Sequence, residues 1–397
     1  MRFLCFLPFL VFAYLAGFAP ASLAPAPAAA SDAGVFDFDF EELAPGVWTA
    51  IRTDGARIPV MGNATFVITE SGVIVFDGGG TASMAEQVLR KIRAETDLPI
   101  THIGISHWHG DHHFGIHVLR DAFPAAEIVA HRFTRDAMLG SPISYIDNYP
   151  TFVERNRPAV AAVVETGKDG QGNDVDPSMR EQYGKLLNDI EFIGEEFLRS
   201  RVTVPTLTIE DRLTLHRGER TVEFVFLGVG NTAGDLLMWL PEEKIVATGD
   251  LVVHPTPYLY NVPPRAWAKT MRALNALEYE ILVPGHGAVQ RDTGYVDLLI
   301  ELAETTADQR DAFLAEGMPE EEVIASLDFS EFEPRFSGGN PYLANRFRVW
   351  GAGPFRYAAL KALTGEPMVA IGPRYPKEEA GEAPEGESED DADEAGD

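Results

Sequence analysis

Short runs of alternating apolar and polar positions, broken by turn residues, dominate residues 47–77. The runs "GVWTAIRT", "NATFVIT" and "VIVFDGGG" are rich in β-branched and aromatic residues, and Glu70-Ser71-Gly72 separates the last two. This pattern predicts antiparallel strands joined by hairpins, the last ending in a glycine-rich bend. The period then changes. In "SMAEQVLRKIRAET" the apolar residues Met84, Val88, Leu89 and Ile92 recur at helical spacing, and "ITHIGISH" after it reads as a buried strand. A short strand "EIVAH" and a helix beginning near Arg132 come next.

Regularity falls at about residues 141–201, where Pro142, Pro150 and Pro158, the turn-rich "GKDGQGNDVDP" and the helical stretch "SMREQYGKLLNDIEFIGEEFLRS" suggest an insertion on the sheet framework. It reads either as a helical hairpin covering apolar surface or as a lid over a site. Strands return as "TLTIE", "RLTLHRG", "TVEFVFLG", "DLLMWLP" and "KIVATGD", followed by the amphipathic helix "AWAKTMRALNAL" and the strand "EILVPGHG". Residues 293–365 read as a helical extension. Two groups of strands, each followed by helices, predict an α/β (α+β) architecture: a sandwich of two mainly antiparallel sheets with helices outside, over residues 31–292.

Composition adds compartment and charge. Residues 1–30 run from Arg2 through an apolar stretch, broken by Pro8 and Gly17, to a small-residue site at Ala30; this reads as a signal peptide, too short and interrupted for a membrane span. A periplasmic or secreted protein is expected. The only cysteine, Cys5, lies in that segment, so a mature chain offers no thiolate and any metal must be held by nitrogen and oxygen. The net charge of −29 argues against nucleic acid as a partner. Part of that charge sits in residues 377–397, "KEEAGEAPEGESEDDADEAGD", which lack apolar periodicity and read as a disordered acidic tail. A small-molecule substrate is expected, and no motif for a nucleotide or organic cofactor is present.

The candidate chemistry lies at strand ends. His107, His109, Asp111 and His112 follow the strand "ITHIGISH", while Asp250 and His286 end two later strands in glycine-flanked turns. In an extended loop His107 and His109 project to one side, and Gly110 allows a turn that aims Asp111 and His112 at a neighbouring point, so one loop can serve two adjacent metal positions. Zinc suits imidazole and carboxylate donors. Asp77, in "FDGGG", reads equally as a support for the ligand loops and as a turn former. Asp235 carries the same two readings. His113 reads as a supporting residue, and His102, His117, His131, His216 and His254 as ordinary strand or helix residues. Tyr258 and Tyr260 are candidates for the pocket wall.

His107-Trp108-His109-Gly110-Asp111-His112, followed by Thr248-Gly249-Asp250 and Pro284-Gly285-His286-Gly287, resembles the metallo-β-lactamase-fold superfamily. The resemblance implies an αββα sandwich with the site at one edge. It also implies one metal on His107 and His109, a second on Asp111, His112 and His286, and Asp250 between them. One departure stands out: the family's third histidine for the first metal is replaced by Asn231, in Gly230-Asn231-Thr232-Ala233-Gly234-Asp235. An amide oxygen is a weaker zinc ligand than imidazole, so the first site is expected to bind less tightly than the second. One zinc, two zincs at higher demand, or an Asn231 hydrogen bond to a developing oxyanion all remain open.

The activity implied is hydrolysis by metal-activated water, whose pKa zinc lowers to about 7. The bond is expected to be an ester, lactone, thioester or amide, a β-lactam among them. Asp111 and Asn231 are the candidate catalytic residues; Asp111 either orients the water or serves only as a ligand. Two other readings compete. One is an iron-dependent dioxygenase of the same fold, against which the missing histidine weighs; the other is a non-catalytic metal-binding protein.

Overall fold

The computed structural model describes residues 34–53, 57–259 and 262–364. The leader with Cys5, Tyr260 and the acidic tail lie outside the described residues.

Seven strands form the first sheet in chain order: β1 (Phe38–Ala44), β2 (Val47–Arg52), β3 (Ala64–Thr69), β4 (Gly72–Phe76), β5 (Ile100–Gly104), β6 (Glu127–His131) and β7 (Leu207–Ile209). The second sheet contains β8 (Arg212–Arg217), β9 (Arg220–Val225), β10 (Leu237–Leu240), β11 (Ile245–Ala247) and β12 (Ile281–Val283), in the reverse order across the sheet. The expected antiparallel pairing holds from β1 to β4 and from β8 to β11. By contrast β4 through β7, and β11 with β12, pair parallel. Helical connections impose this mixture. Helix Ala82–Glu95 carries the chain from β4 back to start β5 on the same side, and helix Pro264–Asn275 does the same between β11 and β12.

The period-2 pattern sorts side chains into three apolar layers. On β4, Val73 and Val75 face the helices outside the first sheet, while Ile74 and Phe76 face inward. On β10, Met238 and Leu240 face inward, and Leu237 and Trp239 face the outer helices of the second sheet. The central layer, with Val47, Val67, Val129, Val222 and Phe224, joins the two sheets. Full burial of a side chain such as Ile74 or Phe224 contributes roughly 1.5–3 kcal/mol. The architecture is therefore the αββα sandwich.

Between β6 and β7 lie a 3-10 segment at Ser141–Thr151 and two helices, Phe152–Thr166 and Pro177–Arg199. Gly167, at positive φ, ends the first, and the Asp176 carboxylate caps the second by accepting from Ser178 N. Their apolar faces join the first-sheet core, with Tyr149 stacked on Phe197 at 4.3 Å and Phe114 at 5.7 Å from Tyr145. No helix among the described residues is long and apolar enough to cross a membrane.

Candidate metal centre

Parallel pairing decides where the site forms, because it brings the carboxyl ends of neighbouring strands to one edge. Asp77 follows β4, the histidine-rich loop follows β5, Asp250 follows β11 and His286 follows β12. Cross-links hold the two sheets together at this edge. Asn63 N donates to Gly285 O at 2.7 Å, its side-chain amide donates to the carbonyls of Pro284 and Gly287, and Leu236 N donates to Ser106 O at 2.9 Å. Two glycines permit the close approach: a Cβ at Gly62 would lie 2.6 Å from the His112 ring, and one at Gly285 would lie 2.2 Å from Asp250 Oδ1.

All six predicted ligands converge, and all six are buried. They form two groups, His107 with His109 and Asp250, and Asp111 with His112 and His286; within each, one donor atom per residue lies within 4.8 Å of the others. Asp250 faces both. Its Oδ2 is 3.7 Å from His107 Nε2, and its Oδ1 lies 3.0 Å from His112 Nε2 and 3.1 Å from His286 Nε2. Asp111 Oδ2 is 3.1 Å from His286 Nε2. His109 ends the extended loop, and Gly110–His113 is a single helical turn that carries Asp111 and His112 round to the second group.

Three of the four rings are held from behind. The Asp77 carboxylate accepts from His112 Nδ1 at 2.9 Å and from Ser106 N at 2.8 Å, and Ser106 Oγ lies 2.9 Å from His107 Nδ1. The Met61 carbonyl accepts from His286 Nδ1 at 3.0 Å. Asp77 does this from a left-handed backbone conformation, φ 59°, which costs strain that its contacts must hold. Of the two sequence readings of Asp77, the supporting one matches this geometry. Tyr145, for which the sequence held no signal, accepts from Gly110 N at 2.6 Å and so ties the inserted helical region to the ligand loop.

These partners show what the site lacks. A carbonyl at His286 and a carboxylate at His112 fix the Nδ1 protons, so in the neutral rings both Nε2 atoms present lone pairs, only 3.2 Å apart and facing two carboxylates. Buried acceptors so close repel one another unless a cation lies among them. His107 Nε2 and Asp111 Oδ1 are likewise buried without a hydrogen-bond partner. Nitrogen and carboxylate oxygen in this number suit a borderline divalent metal ion.

Without a metal, protons take the cation's place. Burial lowers the His112 and His286 pKa values, but the surrounding carboxylates outweigh it. Asp111, Asp250 and Asp77 hold His112 well above the usual imidazole range, and Asp250 and Asp111 raise His286 to about 8. Burial holds His107 well below that range and His109 at about 4, so these two rings are neutral. Metal binding at the Asp111 group must therefore expel protons at neutral pH. Affinity there is expected to rise with pH through about 8, where His286 gives up its proton, with on the order of one proton or more released per chain at pH 7. Calorimetric titration of zinc in buffers of different ionisation enthalpy reads the proton count; release of none at pH 7 would contradict this assignment.

Asn231 is 1% exposed, and its Nδ2 donates to Asp250 Oδ2 at 3.3 Å. The position thus holds the shared carboxylate through the amide nitrogen. His113 Nε2 is on the Trp108 carbonyl, outside both groups. Asp235 Oδ2 accepts from Thr232 N, and burial pushes its carboxyl up to about 8. An apolar pocket opens on the centre beside His109, Asp111, Asp250 and His286; its walls include Ile58, Val60, Phe152, Leu186, Phe197 and Tyr258. Phe152, Leu186 and Phe197 come from the inserted helices, which therefore both cover core and line the pocket.

Residues 57–286 match the family model of the metallo-beta-lactamase superfamily. A linear primary-alkylsulfatase of Pseudomonas sp. (strain ATCC 19151) is 23% identical over 286 residues, 68% of this chain and 50% of that protein. The chain thus spans about half the length of the curated relative it matches. Among solved structures, the stereoselective inverting sec-alkylsulfatase Pisa1 from Pseudomonas sp. aligns with a TM-score of 0.58 at 14% identity, over 83% of this chain and 51% of that one. A metallo-beta-lactamase from Pontibacter korlensis aligns with a TM-score of 0.45 at 16% identity, over 68% of this chain and 99% of that one.

Proposed function

The chain belongs to the metallo-beta-lactamase superfamily, and from that premise we propose that it is an exported zinc-dependent hydrolase acting on a small ester-type substrate. The observation that carries the reading is the meeting of buried imidazole nitrogens and carboxylate oxygens from His107, His109, Asp111, His112, Asp250 and His286 at the mouth of an apolar pocket. We rank the sulfate ester first among the substrate classes, ahead of carboxylic ester, lactone, thioester and amide, because the chain is similar to an alkylsulfatase. Export rests on the apolar leader at residues 1–30.

Zinc held by the two groups supplies Lewis acidity toward the scissile bond and acidifies water there. The remaining work falls to the chain. Asp77, Ser106 and the Met61 carbonyl orient the rings, and Asn231 steadies Asp250. Asp111 Oδ1, buried with no partner, is placed to accept a hydrogen bond or a proton from the attacking water. The apolar walls exclude bulk water and receive an apolar part of the substrate.

The test is metal content per chain together with hydrolysis of 4-nitrophenyl sulfate, 4-nitrophenyl butyrate and a chromogenic β-lactam. Zinc-dependent turnover of any of them, removed by chelation and restored by zinc, is expected. Iron in place of zinc, or stoichiometric metal without hydrolysis of any ester or amide, would overturn the reading.

A further inference from the structure

Arg346 is the feature of the pocket that metal chemistry leaves unexplained. It ends the helix Pro341–Arg346, outside the region shared with the family model, and lines the same pocket as His109, Asp111, Asp250 and His286. It is 5% exposed, and its Nε has no hydrogen-bond partner. Its guanidinium lies 5.1 Å from the Trp350 ring and 5.9 Å from the Tyr342 ring. The groups that act on its charge are the phenols of Tyr342, which also shares a side-chain hydrogen bond with it, and Tyr295, and among the described residues no carboxylate forms an ion pair with it. In a chain with 61 Asp and Glu against 32 Lys and Arg, a buried guanidinium without an acid is not explained by a shortage of acids. A neutral phenol does not balance a buried charge, which stays costly without a counter-ion, so its retention in the pocket wall calls for an anion that arrives from solution.

The backbone around Arg346 is shaped to hold it there. Asn340 caps its helix by accepting from Tyr342 N and Leu343 N, and the chain passes straight into a π-helical segment, Phe347–Ala352. Such segments concentrate at functional sites. This one places Trp350 in the pocket wall and is anchored to the loop after Asp250, where Leu259 N donates to Trp350 O at 3.2 Å.

We propose that Arg346 is a specificity-determining residue that binds the anionic group of an amphiphilic substrate whose apolar chain lies against Phe152, Leu186, Phe197 and Trp350. The inference rests on the hydrolase reading only in taking the ligand to be the substrate. A planar guanidinium offers paired donors that match a sulfate or carboxylate, and a dry apolar surround strengthens that pairing. Neutral esters of the same length lack the partner and leave the charge buried alone.

The test measures binding without turnover, using octane-1-sulfonate, whose carbon–sulfur bond is not an ester, and octan-1-ol on the zinc-loaded full chain. Calorimetry is expected to show tighter binding of the sulfonate, and Arg346→Met to weaken the sulfonate by about 10- to 100-fold while leaving the alcohol within about twofold. Arg346→Lys, which keeps the charge and covers the case of a Met variant that fails to fold, is expected to retain a preference for the sulfonate. Removing a buried charge that has no counter-ion is also expected to leave the melting temperature unchanged or raised. An unchanged sulfonate affinity in Arg346→Met, equal loss for both probes, or no preference for sulfonate in Arg346→Lys would overturn the proposal. Failure of the chain to hydrolyse any ester would strike the hydrolase reading instead, since the charge preference is measured without reaction.

Discussion

Replacing Asp250 by alanine is expected to lower the protein's zinc content further than replacing Asp111 does. Asp250 is the residue whose carboxylate faces both groups, with one oxygen toward His107 and the other against His112 and His286. Without it, His107 and His109 are two imidazoles with no anionic donor, and burial leaves them uncharged but unable to balance a divalent ion. The second group keeps Asp111, His112 and His286 but loses the oxygen that sits between the two rings. Elemental analysis after gel filtration is expected to find the Asp250→Ala chain essentially free of zinc and the Asp111→Ala chain with a measurable remainder. Hydrolytic activity in Asp250→Ala should fall by more than the roughly 10–100-fold that loss of an outer hydrogen-bond partner costs. Equal zinc in the two variants would mean that the groups do not share Asp250.

How far the sequence disclosed this centre depends on the range of each interaction. The loop from His107 to His112 is legible because its ligands are neighbours, and Asp250 and His286 because each ends an apolar run at a glycine turn. The layers are legible for a similar reason: alternation on β4 and β10 assigns inward and outward faces residue by residue. Pairing direction is less so. Parallel neighbours are set by helical crossovers, and it is that parallel pairing which gathers Asp77, Asp250 and His286 at one edge. β1 carries the same alternation, with Phe36, Phe38 and Phe40 alternating with Asp37, Asp39 and Glu41, so this edge strand was legible ahead of the runs that begin at residue 47. Tyr145 and Arg346 reach the site from helices 35 and more residues away in the chain, through packing that no local pattern encodes.

Asn231 presents the sharpest case of a residue whose type was legible but whose role was not. The sequence marks it as a weak ligand, but the structure turns its amide nitrogen toward Asp250, so the carboxylate gains a hydrogen-bond donor from the position where the resemblance implies a third imidazole ligand. Asn231→Asp tests this directly, since the side chains have nearly the same shape and differ in charge. In the metal-free protein the change sets two carboxylates against each other, near Asp235, whose own carboxyl is already pushed to about 8 by burial and by the neighbouring Asp250 charge. At roughly 4 Å and an effective dielectric near 20 the repulsion reaches about 4 kcal/mol, an upper bound because one carboxyl takes up a proton instead. The metal-free variant should therefore melt below the unaltered protein, by about 2–4 °C for each kcal/mol in a domain of this size. Zinc reverses the sign. An additional anionic donor beside His107, His109 and Asp250 lowers the repulsion and tightens binding, so zinc should raise the variant's melting temperature by more than it raises that of the unaltered chain. Thermal melts with chelator and with excess zinc read both effects; equal shifts in the two proteins would show that position 231 is not coupled to Asp250. The native amide then has a physical reason: it steadies the shared carboxylate without adding negative charge beside Asp250 and Asp235.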